Sequence, residues 1–328
     1  MFATRLIFTL LAIFFISSCK ENSKEQVLEN ESSTTAEVTL ELQIPAELGE
    51  GAFWNHKTQE LYWVDILGKK LYIYNPSTKL NTSFEMPSRI GTVVPQSDST
   101  AVVALEDGIY IQNTKNGSLT RLSNVEADTT ENRFNDGKCD PNGNLWVGSM
   151  HLAEKEPNAK LYKVTPNGTA TAMLDSITIS NGIVWTKDAK TMYYIDTPTA
   201  KIRAFDYDAE TSTISNERVA VEVPASLGFP DGMAIDEHDN LWVGMWNGNA
   251  VVCFDPKTGS VITRIEVPAH NVTSCAFGGP NLDILYITTA TVDMTEDEKI
   301  QFPLAGSVFR VVPGVKGVPS SFFGTVNE

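Results

Sequence analysis

The amino-acid sequence predicts an all-β fold, a six-bladed β-propeller with a metal site on its central axis. Two observations carry that expectation. A short apolar-aromatic run recurs six times, and a polar residue followed by glycine precedes most copies at a nearly constant distance. The runs are Leu61-Tyr62-Trp63-Val64, Ala101-Val102-Val103-Ala104, Leu145-Trp146-Val147-Gly148, Met192-Tyr193-Tyr194-Ile195, Leu241-Trp242-Val243-Gly244 and Leu285-Tyr286-Ile287-Thr288. Between the markers Trp63, Val103, Trp146, Tyr194, Trp242 and Tyr286 the steps are 40, 43, 48, 48 and 44 residues. One four-stranded blade needs a repeat of about that length, and six repeats give six blades. Gly, Pro, Asn and Asp turns separate the runs, as at Asp140-Pro141-Asn142-Gly143 and Asp255-Pro256-Lys257-Thr258-Gly259, and long amphipathic helical patterns are absent.

The second repeat reads Glu50-Gly51, Ile90-Gly91, Asp136-Gly137, Asn181-Gly182, Asp231-Gly232 and, without glycine, Ser274-Cys275. Its first residue precedes the marker by 13, 13, 10, 13, 11 and 12 positions. Equivalent positions in successive blades lie on a ring about the axis, so Glu50, Asp136, Asn181 and Asp231 are expected at one mouth of the channel. Glycine beside them is expected to let the backbone turn tightly. Three carboxylates and an amide gathered in this way call for a hard divalent cation with oxygen ligands. Taken singly, each residue could instead cap a local turn. No Cys or His falls in the ring, which argues against a dedicated zinc site.

The ends and the charge set the context. Residues 6–16 form an apolar run after Arg5, too short to span a bilayer, and lead to Ser17-Ser18-Cys19. Residues 1–18 therefore read as a lipoprotein signal peptide with Cys19 as the lipidated residue, or as an ordinary secretory signal containing a cysteine. Residues 19–37 are polar and charged, a flexible spacer, and residues 38–328 are expected to form the propeller. The alternating stretch 38–44 (VTLELQI) is expected to complete the last blade beside strands near residues 307–312, which removes exposed sheet edges. This places the protein in a bacterial cell envelope as a monomer, touching the membrane only through its lipid. Lys plus Arg number 25 against 41 Asp plus Glu, a net charge of −16 without a basic cluster, so nucleic-acid binding is not expected. After Cys19, three cysteines remain with no CxxC pair, which suggests buried thiols.

Several segments together resemble the family of gluconolactonases, senescence marker protein (regucalcin) and luciferin-regenerating enzymes. They are Gly49-Glu50-Gly51, residues 132–138 (NRFNDGK), Ser180-Asn181-Gly182, residues 230–233 (PDGM) and residues 273–279 (TSCAFGG), with further matches at residues 205–208, 244–248 and 306–309. The resemblance implies metal ligands Glu50, Asn181 and Asp231, substrate contacts Arg133 and Asn135, and Asp231 as general acid/base. It implies one divalent cation, Ca²⁺ first and Mg²⁺, Mn²⁺ or Zn²⁺ as alternatives, and a small-molecule lactone as substrate. The match fails after Gly148-Ser149-Met150, where family members carry an acidic sugar-binding residue and this chain reads His151-Leu152-Ala153-Glu154. Glu154 and His151 are left without a firm role. The function expected is metal-dependent hydrolysis of sugar lactones or related small cyclic esters. The alternatives are a calcium-binding or sugar-sensing propeller without turnover, and a phosphotriesterase-like hydrolase. The loop 140–144 resembles the start of an EF-hand, but Leu145 stands where that loop needs glycine and His151 where it needs glutamate. No Gly-x-Ser-x-Gly elbow is present, which excludes that form of serine catalysis.

Overall fold

The computed structural model describes residues 37–325. The signal peptide, Cys19 and the spacer up to residue 36 lie outside the described residues. The rest is a six-bladed propeller of four-stranded antiparallel sheets. Counting outward from the axis, the innermost strands of blades one to six are Gly49–Asn55, Ile90–Ser97, Asn132–Cys139, Ser180–Trp185, Phe229–Ile235 and Asn271–Gly278. The six repeated runs are the second strands, buried almost throughout. The outermost strands, such as Ser260–Glu266 of blade five, are largely exposed, with one buried residue.

Blade six closes the ring. Its outermost strand is Thr39–Leu42, antiparallel to Val308–Val311 with Thr39 opposite Arg310 and Leu42 opposite Val308. The pairing expected for residues 38–44 is therefore present. It is locked sideways to blade one by Glu41, whose side chain is 2% exposed. Glu41 accepts from Tyr74 Oη at 2.6 Å and Lys79 Nζ at 2.7 Å, and faces Arg310 Nε at 3.1 Å.

The cores lie between blades. Trp146 meets Trp185 and Tyr207 edge-on across blades three and four, and Trp54 stacks on Tyr286 across blades one and six. Fully burying a large apolar side chain is worth about 1.5–3 kcal/mol, which is why the second strand carries an aromatic in five of the six blades. Two of these tryptophans are also tied to turns. Asp140 accepts the indole of Trp146 at 2.9 Å and Asp236 that of Trp242 at 3.0 Å, while each carboxylate accepts backbone N–H groups of its own turn. The EF-hand-like loop 140–144 is thus a hairpin turn organised around its own aspartate.

A feature without a strand pattern covers the lower face, where the inner strands end. Residues 313–325 cross it as a strap: Gly317 N donates to Leu282 O, Glu237 N to Lys316 O, Phe323 N to Pro95 O and Gly324 N to Gly143 O. Phe322 packs on Phe53 and His56.

Candidate active site

The upper mouth of the channel holds a cavity of about 360 Å³. Glu50, Asn181 and Asp231, each near the start of an inner strand, line it together with Arg133 and Asn135. All five side chains are buried. The five residues expected to act together are brought together.

The strands approach closely here, and that explains the glycines. Of the four glycines following the polar ring residues, Gly51 alone has a positive φ, +61°. A Cβ on Gly182 would lie 2.8 Å from Asp231 O, and one on Gly137 2.7 Å from Trp146 O. The expected tight turn holds for Gly51; at Gly137, Gly182 and Gly232 the need is room for a neighbouring chain.

Hydrogen bonds fix the amides. Asn181 Nδ2 donates to Thr197 Oγ1 at 2.8 Å, and Thr197 Oγ1 donates to Pro230 O. That leaves Asn181 Oδ1 as an acceptor, 3.2 Å from Asn135 Nδ2, which also donates to Ser180 O at 2.7 Å. Arg133 Nη1 donates to Asn135 Oδ1 at 2.7 Å and to Phe134 O at 3.0 Å. No carboxylate stands at ion-pair distance from Arg133 among the described residues, so pairing with Asp136 or Glu131 is not its role. Burial lowers the hold of Arg133 on its proton to about 10, against the pull of Glu50 and Glu154.

The carboxylates are crowded. Burial, then the charge of Asp136, pushes the Glu50 carboxyl up to about 7. Asp231 is raised well above the usual range by burial and then by the neighbouring Glu50 carboxyl. Asp231 Oδ1 and Asp136 Oδ2 are buried acceptors without a donor. Orphaned acceptors among like charges are costly, and an oxygen-liganded cation would relieve both the repulsion and the missing partner. Among the described residues no three His, Cys, Asp or Glu side chains gather into a metal site by themselves. A cation here would therefore have to draw on the Asn181 amide as well as on Glu50 and Asp231. Asp136 faces the same group electrostatically but does not line the cavity.

Glu154 does line the cavity, carried there by the short loop after Met150, whereas His151 does not. Sequence reasoning also passed over Leu48, Arg89, Ile179, Phe229 and Trp246, which form much of the wall. A usable signal existed, because Leu48, Ile179 and Phe229 each stand two positions before an axial polar residue.

Comparison with known proteins identifies the family. The chain is 39% identical over 291 residues to a Bacillus subtilis protein named "Putative sugar lactone lactonase YvrE", covering 88% of this chain and all of that one. It is 38% identical to Xenopus laevis regucalcin, over 85% of this chain and 95% of that one. Among solved structures, a luciferin-regenerating enzyme superposes with a TM-score of 0.81 at 36% identity, covering 88% of this chain and all of that one. An Agrobacterium tumefaciens regucalcin, described as a calcium-binding protein, superposes with a TM-score of 0.83 at 28% identity, covering 87% and 96%. The family pattern described as "SMP-30/Gluconolactonase/LRE-like region" matches residues 48–291, and the chain belongs to that family.

Proposed function

We propose that this protein is a metal-dependent hydrolase of sugar lactones or related small cyclic esters. The observation that carries the proposal is the convergence of Glu50, Asn181 and Asp231 with Arg133 and Asn135 in one buried cavity. Glu50, Asn181 and Asp231 would hold the cation, with Ca²⁺ favoured by the all-oxygen donors and by the calcium-binding relative. When bound, it supplies Lewis-acid polarisation of the ester carbonyl. Arg133 spends Nη1 on Asn135 and Phe134, and the rest of its guanidinium fork has no protein partner, so it can hold substrate oxygens. Asp231 Oδ1, buried and unpartnered, accepts a proton from the water that attacks the carbonyl carbon. The ring C–O bond then breaks, and the departing oxygen takes the proton from Asp231 to give the open hydroxy acid. A cation store would have no use for an oriented Arg133–Asn135 clamp, which favours turnover over binding alone.

The test is acid release from a panel of aldonolactones and simple lactones, with and without chelator. Chelator-sensitive hydrolysis supports the proposal. If no lactone is hydrolysed although Ca²⁺ binds tightly, the protein is a calcium-binding propeller. We also propose that the chain works as a monomer tethered through Cys19 in a bacterial envelope, on the strength of the lipobox-like Ser17-Ser18-Cys19.

A further inference from the structure

Side chains two apart on an extended strand point the same way. In blades one, four and five the residue two before the axial polar group therefore forms a second tier, one step nearer the mouth. Leu48 stands above Glu50, Ile179 above Asn181 and Phe229 above Asp231, and all three line the cavity, whereas in blade three Arg133 and Asn135 face it and Asp136 does not. All three tier residues are apolar. Trp246, partly buried against the same core cluster as Leu48, extends the apolar wall.

This tier is held in place before any ligand arrives. Leu48 N donates to Asp65 Oδ1 at 3.0 Å, and Leu48 O accepts from Ile66 N at 2.9 Å. On the neighbouring blade Asn271 Oδ1 accepts from Asn247 N at 3.3 Å, fixing the turn that follows Trp246. Arg89, Glu154, Asn247 and Asp293 line other parts of the wall, but a lactone with hydroxyls all round its ring would still press some of them against Leu48, Ile179 and Phe229, where they lose water and gain no partner. An alkyl or aryl substituent gains from the same wall.

We propose that the favoured substrates are lactones bearing one alkyl or aryl substituent, with few free hydroxyls. The ester group sits at Arg133 and Asn135, and the substituent lies against Leu48, Phe229 and Trp246. This rests on the hydrolase reading given above and narrows it.

The experiment compares kcat/KM for δ-gluconolactone and for alkyl-substituted δ- and γ-lactones, at saturating Ca²⁺. Wild type should favour the alkyl lactones by roughly 10-fold or more, the scale of a small change in apolar contact. Phe229→Asn should cut that preference by about 10-fold; Phe229 is 49% exposed, so its loss does not threaten folding. Ile179→Thr, which is smaller by one heavy atom and puts a hydroxyl in the wall, should act in the same direction. A wild type that prefers gluconolactone, or variants that slow both substrates alike, overturns the proposal. Binding is read separately by calorimetry with alkyl-substituted and polyhydroxylated lactams, which are not hydrolysed. Tighter alkyl-lactam binding in a protein that hydrolyses no lactone upholds the ligand class and removes the hydrolase reading. Equal or absent binding of the two lactams overturns the ligand class.

Discussion

Removing divalent cations should make the stability of this propeller fall as pH rises from 5 to 8. The cause is the Glu50–Asp231 pair. Glu50 moves from an ordinary 4.5 to about 7 in the folded protein, through burial first and Asp136 second. Between those two values the native state holds a proton that the unfolded chain has released. Stability is therefore full below about pH 4.5 and falls until pH 7, after which the loss is complete. For Glu50 alone the loss amounts to about 3 kcal/mol. Asp231, raised by burial and by Glu50, adds to it in the same direction. In a domain of this size the Glu50 share lowers Tm by roughly 6 °C.

The assay is thermal unfolding of chelator-treated protein at pH 5, 6, 7 and 8, with and without Ca²⁺, for wild type and Glu50→Gln. Other groups also titrate, so the quantity of interest is the difference between wild type and variant across pH. Glu50→Gln leaves no charge to bury and should flatten most of the slope in metal-free protein. Added Ca²⁺ at 100 times its Kd should raise wild-type stability by about 2.7 kcal/mol and stabilise Glu50→Gln far less. If metal-free wild type and Glu50→Gln show parallel pH profiles, or if Ca²⁺ stabilises both equally, the crowded-carboxylate account of this site is refuted.

Five further outcomes are expected. Asp231→Asn should retain weakened metal binding but lose about 100-fold or more of lactone hydrolysis even at saturating metal, the scale of a missing general base; Asn181→Ala should recover part of its activity as metal is raised, and rates measured against metal concentration separate the two. Glu41→Ala removes the buried acceptor of Tyr74 and Arg310, costing about 3 kcal/mol, and hydrogen exchange should quicken first in Thr39–Leu42 and Val308–Val311. Phe322→Ala empties the contact between strap and blade one, with a loss of about 3 kcal/mol by thermal unfolding and unchanged hydrolysis. Cys19→Ala should move the protein from the membrane to the soluble fraction with its Tm unaltered; persistent membrane binding by the processed variant would count against the lipid tether.

Much of this molecule was legible because a propeller writes its symmetry into the chain. The marker recurs since every second strand but that of blade two, where Val103 stands, presents one large side chain to the interblade space, and Trp63, Trp146, Tyr194 and Tyr286 are almost fully buried there. The polar ring was legible for the same reason, since equal positions in equal blades meet at the axis. The unread parts lack that periodicity. The strap of residues 313–325 alternates with nothing and binds several blades through backbone groups, which carry no side-chain signature. Glu154 reaches the cavity on a loop with no counterpart in the other blades, so no repeat could place it. Gly182 and Gly232 looked like turn glycines because a neighbouring strand's closeness is invisible in sequence. Leu48, Ile179 and Phe229 were hidden differently: an apolar residue in a strand reads as core. Only the ring position two residues later shows that each faces the mouth instead. Fold and chemistry are thus written at one position of the repeat, and specificity at the position two before it, where blades one, four and five place Leu48, Ile179 and Phe229 against the cavity.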